Sequence, residues 1–451
     1  MKIYDKRGNQ MAKIEVKCIG FNDYAQGLFK VNNKICFCNN FLPGEVGLVE
    51  KNKYDKYYIS SFTKKSKDRV ESECEYYNKC GGCHLLHMNK NLQKQFKIDY
   101  VQTAFSENKL NSKIDEYIEP DSYKAYRNKM QVAYKFQEGK LVYGFYEEES
   151  HKIIPMKKCM VQTERQNEIV KAIKDIMIEM KLKPYDEDRR MGLIRFVMIR
   201  EAFTSGEMLV TVVTNSDIFP GNNEFVKRLI RRCPYITSIV QNINTRKTSI
   251  ILGDDEKVLY GPGYIKDDLC GIMFKISSKT FYQINHEQTE KLYNKIKEYA
   301  ALEGNEVVLD AYCGVGTIGM TLSKNCKKVI GVENNKQSVL NARINASENK
   351  IKNISFVLSD ATEYIQKYTG EKIDTLIMDP PRSGSTEVFL KAIEKLKPQK
   401  IVYVSCEAKT LARDLTFLKS YKIVKKCLVD MFVGTYHIET ITLLYLKEPK
   451  K

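Results

Sequence analysis

Over the first 66 residues, apolar and polar positions alternate in short runs cut by turn residues. Ile14-Glu15-Val16-Lys17-Cys18-Ile19 alternates up to Gly20, and Gly27-Leu28-Phe29-Lys30-Val31 ends in a turn at Asn32-Asn33. A second turn, Pro43-Gly44-Glu45, leads into Val46-Gly47-Leu48-Val49-Glu50 and then Tyr57-Tyr58-Ile59-Ser60. Four or five short strands in about 50 residues predict a small β-barrel. The period then changes. Met88, Leu92, Phe96, Tyr100 and Phe105 share one face of a helix over 88–106. Residues 125–260 mix a helix at 164–181 with β-like runs at 194–200 and 208–213, and this stretch says little about function.

From about residue 285 a third rhythm begins. A helix over 286–301 precedes Val307-Val308-Leu309, and the apolar runs at 329–332, 354–357, 375–378 and 401–404 follow, separated by helical stretches. Short buried strands alternating with helices predict a parallel, doubly wound sheet. The fold class is therefore multidomain α/β. A barrel is expected over 1–66, a central α+β domain with a cysteine cluster over 67–284, and a Rossmann-like domain over 285–451.

Charge narrows the partners. Lys and Arg outnumber Asp and Glu by 17, which favours a polyanion. Lys51, Lys53, Lys56, Lys64, Lys65 and Lys67 crowd the end of the predicted barrel. No apolar run reaches the roughly 18 residues of a membrane span, and residues 1–7 lack the apolar core of a signal peptide. A cytoplasmic protein is expected. Its 13 cysteines are then free, metal-bound or catalytic rather than disulfide-paired.

The chemistry-bearing residues fall at strand ends. Ala311-Tyr312-Cys313-Gly314-Val315-Gly316-Thr317 puts glycines at the first strand-to-helix turn, where backbone can approach a ligand. Glu333, 19 residues after Gly314, ends the next strand and suits ribose hydroxyls. Asp360 follows the third strand, where an adenine would sit. Asp379-Pro380-Pro381-Arg382 fixes a carboxylate at the end of the fourth strand on a rigid turn. Cys406 ends the fifth, on the same edge, as expected of a covalent catalyst. Glu439 is the candidate base, and Arg382 or Arg413 could raise the thiolate fraction of Cys406. His437 is read as structural or RNA-contacting. Cys74-x5-Cys80-x2-Cys83, with Gly81-Gly82 between, points to zinc or an iron–sulfur cluster, with a fourth ligand from elsewhere and His84 and His87 as rivals.

Taken together these motifs resemble the bacterial 23S ribosomal RNA (uracil-5-)-methyltransferases over nearly the whole chain. The resemblance implies an N-terminal TRAM barrel over 12–66, a [4Fe-4S] cluster and a class I methyltransferase domain using S-adenosylmethionine. It implies Cys159 as the fourth cluster ligand beside Cys74, Cys80 and Cys83. It assigns Gln283, Tyr312, Glu333 and Asp379 to the cofactor or substrate, Cys406 to attack at uracil carbon 6, and Glu439 to removal of the carbon 5 proton. Tyr126-Arg127-Asn128-Lys129 resembles a family stretch that faces RNA, and Phe281 or Tyr282 would stack on an extruded uridine. The implied partner is 23S ribosomal RNA, with a monomer, no membrane and no obligate protein partner. Two alternatives are the same chemistry on transfer RNA and an inactive ribosome-assembly factor. The C-x3-C-x2-C motif of radical iron–sulfur enzymes is absent.

Overall fold

The computed structural model describes residues 13–52, 54–147, 150, 152–247 and 250–448; residues 1–7 and Lys53, read above, lie outside them. The chain forms two compact units, Met1–Thr103 with Phe432–His437, and Ala104–Met431 with Ile438–Lys451. Among the described residues no helix is long and apolar enough to cross a membrane.

In the first unit the alternating runs become strands, as their period requires. Ile14–Lys17, Val46–Lys51 and Tyr57–Lys64 form one three-stranded sheet, and Gly20–Phe21, Gly27–Val31 and Lys34–Cys38 form another. Their inward residues, Val16, Phe29, Phe41 and Val49 among them, share one apolar core. The expected barrel is thus two sheets around a common core rather than one closed hydrogen-bonded ladder. Arg69 pins the following segment to these strands. Its guanidinium donates to both oxygens of the fully buried Glu45, at 2.5 and 2.7 Å, a bidentate pair that fixes direction as well as position. Residues 70–89, which carry Cys74, Cys80 and Cys83, are turns and irregular chain with isolated bridges at Cys80 and Met88 and no helix or strand of their own.

The predicted helix runs Lys90–Glu107. The second unit holds two large sheets. One has seven strands, in the order Ile153–Pro155, Lys140–Tyr146, Lys129–Gln137, Ile194–Glu201, Met208–Thr214, Ser238–Ile243, Asp255–Tyr260. The helix expected at 164–181 runs Glu164–Glu179, capped by Thr163, whose side chain accepts from the Gln166 N–H.

The other sheet has eight strands, numbered here in chain order: β1 (Glu116–Ile118), β2 (Val307–Ala311), β3 (Lys328–Glu333), β4 (Ile354–Leu358), β5 (Thr375–Met378), β6 (Lys400–Ser405), β7 (Tyr421–Val429) and β8 (Glu439–Leu446). Their spatial order is β4-β3-β2-β5-β6-β8-β7-β1. β2 to β6 are parallel to their neighbours in that run, and β8 is antiparallel to both β6 and β7. The order reverses between β2 and β5, which opens a crevice at the carboxyl edge. Helices α1 (His286–Ala300), α2 (Thr317–Leu322), α3 (Lys336–Glu348), α4 (Ala361–Lys367), α5 (Glu387–Leu396) and α6 (Ala408–Leu415) alternate with these strands. The boundary expected at 285 does not hold for this sheet, because β1, from the stretch given to the central domain, pairs with β7. Three residues are too few to show a period.

Candidate active site

The ends of β2, β3, β5 and β6, together with the start of the reversed strand β8, bring the predicted residues to one edge. β6 and β8 pair Ser405 with Thr440, so Cys406, next after Ser405, and Glu439, next before Thr440, emerge side by side. β5 pairs Met378 with Tyr403 on the other flank of β6, and Asp379 follows directly. Cys406, Asp379, Glu439 and Arg382 act electrostatically on one another as a single cluster.

Its protonation is unusual. Burial pushes the Asp379 carboxyl up to about 7 and the Glu439 carboxyl, only 4% exposed, up to about 8. The charge of Asp379 adds to the rise at Glu439, and Arg382 opposes it. Burial first, then the two carboxylates, push the Cys406 thiol up to about 11, again against Arg382. Arg382 thus acts on the thiol in the expected direction, but burial outweighs it. A buried and a half-buried carboxyl, both raised toward neutrality beside a cysteine, are the pattern of a reactive site. Glu439 is buried and not a surface residue of its strand.

The loop that carries Asp379 and Arg382 is clamped from α6. The buried Asp414 accepts from the Ser385 N–H at 2.7 Å and from the Tyr403 hydroxyl at 2.6 Å. Arg413 donates to Asp414 at 2.6 and 2.9 Å and to the Ser383 carbonyl at 2.9 Å, and the Thr410 hydroxyl donates to the Arg382 carbonyl at 3.1 Å. Arg413 is therefore spent on the loop, and Arg382 is the cation that acts on Cys406. Sequence reasoning missed Asp414 as the hub; its only signal was an acid beside an arginine eight residues after the nucleophile.

The glycine loop is built for close approach. Gly316 sits at φ 79°, and a Cβ there would lie 2.6 Å from the Phe356 ring. Gly314 sits at φ 56° with open space around its α-carbon, as a ligand cradle needs. Tyr312, a bulky residue, holds φ 63°, a strained conformation. Its ring packs edge-on against Phe389 and its hydroxyl donates to Ser385 at 3.4 Å. Glu333 accepts from the Gly314 N–H at 3.0 Å and the Asn335 N–H at 2.7 Å, which ties the acid to the loop. The buried Asp310, pushed up to about 7 by burial, accepts from the Gly319 N–H at 2.8 Å and anchors α2. Asp360 caps α4, accepting from Thr362 and Glu363 through one oxygen. Gln283 is half-buried, and its backbone carbonyl is held by Asn128 Nδ2 at 2.7 Å. Of the two stacking candidates, Phe281 is 68% exposed, whereas Tyr282 is buried with its hydroxyl on Asp267 at 3.4 Å. Tyr282 is thus a core residue.

The cysteine cluster behaves differently. Among the described residues no three His, Cys, Asp or Glu side chains come together to hold a metal ion. Burial raises the Cys80 thiol, with a lesser push from Cys74. Cys159 belongs to the second unit, where its N–H donates to Asn167 Oδ1 at 2.8 Å. As placed, Cys74, Cys80 and Cys83 do not by themselves gather into a metal site. Neither histidine takes their place. His87 is buried and pushed down to about 3, and its Nδ1 is hydrogen-bonded to the Tyr77 hydroxyl. His84 packs on Tyr436 at 4.4 Å between ring centres. His437 packs against Tyr436 and Phe432, which favours its structural reading.

Comparison with known proteins agrees with the edge chemistry. A family model described as tRNA (uracil-5-)-methyltransferase matches residues 88–447. An uncharacterised RNA methyltransferase of Clostridium tetani is 38% identical over 442 residues, 96% of each chain. Another, from Listeria monocytogenes, is 40% identical over 429 residues, 93% of this chain and 94% of its own. The crystal structure of Pyrococcus abyssi tRNA (uracil-54, C5)-methyltransferase with S-adenosyl-L-homocysteine superposes with a TM-score of 0.79 at 26% identity, over 96% of this chain and 100% of that one. The chain belongs to the tRNA (uracil-5-)-methyltransferase family, S-adenosylmethionine-dependent enzymes that methylate RNA uracil at carbon 5.

Proposed function

We propose that the chain forms 5-methyluridine at a specific position of 23S ribosomal RNA, with Cys406 as nucleophile and Glu439 as base. The observation that carries the chemistry is the meeting of Cys406, Glu439, Asp379 and Arg382 at one sheet edge, with both carboxyls raised toward neutrality. Gln283, Tyr312, Gly314, Glu333, Asp360 and Asp379 would hold S-adenosylmethionine; the open α-carbon of Gly314 and the acid tied to that loop support this. When bound, the cofactor supplies an electrophilic methyl group.

The residues divide the remaining work. The Cys406 proton passes to the Asp379 carboxylate, which leaves Glu439 ionised for the later step, and Arg382 steadies the thiolate. The sulfur adds to uracil carbon 6, and the displaced electron pair spreads over carbon 5 and O4, which makes carbon 5 nucleophilic. Asp379 in its neutral form donates to O4 as charge builds there, as a buried carboxylic acid can at neutral pH. After carbon 5 has gained its methyl, Glu439 takes the carbon 5 proton. The electrons of that bond restore the double bond, and the Cys406 sulfur leaves. A base titrating near 8 is matched to that transfer.

The ribosomal substrate rests on the resemblance of the motifs. Transfer RNA is the second reading, favoured by the likeness to the P. abyssi enzyme, whose coverage of 96% of this chain includes the N-terminal strands. Labelled S-adenosylmethionine with unmodified 23S ribosomal RNA and transfer RNA in parallel, mapped by mass spectrometry, separates the two. Label at ribosomal uridines is expected. Label in transfer RNA alone moves the substrate, and label in neither leaves the assembly-factor reading. The Cys74-x5-Cys80-x2-Cys83 spacing supports, as a separate proposal, an iron–sulfur cluster completed by Cys159 once these thiols rearrange; no catalytic step passes through it.

A further inference from the structure

Lys129 and Arg200 face each other directly across an antiparallel strand pair. Like charges so placed repel and destabilise a sheet. Arg127 adds a third positive charge that acts on Lys129. Arg200 is only 6% exposed, and it spends its Nη2 on the carbonyls of Ser278 and Thr280, at 3.2 and 2.5 Å. The Nε atoms of Arg127 and Arg200 are buried without an acceptor. The carboxylate nearest in sequence, Glu201, is engaged by Thr163 and Arg165. Burial first, then Arg200 and Arg127, push the Lys129 ammonium down to about 8. Among the described residues no carboxylate pairs with any of the three. A buried arginine with two half-buried cations beside it and no counter-charge carries a standing cost, and a cost of this kind is retained where a ligand removes it.

The position identifies the ligand. Asn128, between Arg127 and Lys129, donates from Nδ2 to the Gln283 carbonyl at 2.7 Å and from its N–H to the Ile284 carbonyl at 2.8 Å. Arg127 bridges to Asn285, and Arg200 holds the carbonyls of residues 278 and 280. The Arg200 guanidinium, Asn128 and the backbone of Arg127 thus hold both sides of the segment that presents the exposed Phe281, beside Lys129. We propose that Lys129, backed by Arg200 and Arg127, binds a backbone phosphate of the RNA next to the target uridine. This rests on the RNA-methylating reading of the same site and names the group that fixes the strand there. The anion is a phosphodiester, because the substrate brings one at every nucleotide to an edge already committed to RNA.

The test uses the full-length protein and its K129Q and K129R variants, with an unmodified 23S ribosomal RNA fragment and a transfer RNA transcript as probes. Binding is measured against salt concentration, alongside S-adenosyl-L-homocysteine affinity and thermal unfolding. For K129Q, RNA affinity should fall on the order of three- to tenfold, with the salt slope shallower by roughly 0.7. Affinity for S-adenosyl-L-homocysteine should hold, and the unfolding temperature should rise, since a repulsion has been removed. K129R should keep RNA binding. An unchanged salt slope overturns the proposal. Loss of S-adenosyl-L-homocysteine affinity with RNA binding intact assigns the cations to the cofactor's carboxylate instead, and a lower unfolding temperature makes Lys129 structural. Binding is read without turnover, so failure of uridine methylation by the unaltered protein would be a separate result.

Discussion

Cys406 and the Cys74–Cys83 segment are both cysteine sites suggested by spacing, and the structure treats them oppositely. Cys406 lies one residue beyond a strand whose neighbours fix its surroundings through ladder register: Thr440 opposite Ser405 on one side, Tyr403 opposite Met378 on the other. Hydrogen-bonded strands place residues at their ends within a narrow range, so motifs far apart in sequence arrive at one point. Cys74, Cys80 and Cys83 lie outside any helix or strand, Cys80 at an isolated bridge, where no ladder fixes direction, and no three ligands converge there among the described residues. Spacing in a turn allows convergence without enforcing it; a strand end enforces it.

The hardest blow to this contrast falls on the nucleophile. Cys406→Ala should lower turnover by at least about 10⁴-fold, because covalent activation of carbon 5 has no substitute. S-adenosylmethionine affinity, measured by calorimetry, should change little, since the glycine loop and Glu333 are untouched. A C406A enzyme that still methylates would break the mechanism. Glu439→Gln comes next. Turnover should fall about 10²- to 10⁴-fold, and a denaturing gel should show a protein–RNA adduct, because the proton on carbon 5 stays in place. No adduct together with normal product would remove Glu439 from its role.

The cysteine segment offers a smaller test. If its thiols rearrange around a cluster, protein purified without oxygen should be brown and hold about four irons per chain. Cys80→Ser should then lose the iron. Colourless, folded, metal-free protein that methylates RNA would show that these thiols work as they are placed here, and the contrast with Cys406 would stand in full.

How much was legible follows the same division. The parallel strands announced themselves by length and apolarity, and Asp379, Cys406 and Glu333 were found because each follows or ends one. β1 was hidden because three residues carry no period and its partner, β7, lies about 300 positions away. The Asp414 hub was hidden because its partners are a backbone N–H at Ser385 and a hydroxyl at Tyr403, neither of which leaves a pattern in side-chain polarity. Arg413 and Arg382 could not be told apart from sequence, since the choice depends on which guanidinium the loop consumes. The N-terminal strands were read correctly as strands, but alternation fixes which side of a strand is buried and says nothing about whether two sheets join at their edges.

The smallest predicted effect is on stability, and its sign follows from burial. Asp379 is raised from 3.8 to about 7 and Glu439 from 4.5 to about 8 in the folded protein. The fold therefore holds these protons more tightly than the unfolded chain does. Stability from this source is complete below about pH 4, where both states are protonated, and is lost as pH rises through 7 to 8. Glu439→Gln keeps the shape of the side chain and cannot ionise. Its unfolding temperature, measured by scanning calorimetry, should match that of the unaltered protein near pH 4 and exceed it by about 2 °C at pH 8.5. The gain stays small because Asp379 still ionises beside it and Arg382 already offsets part of the charge. If the two unfolding curves ran parallel across that range, Glu439 would not be held protonated by burial, and its match to proton transfer near neutral pH would fall with it.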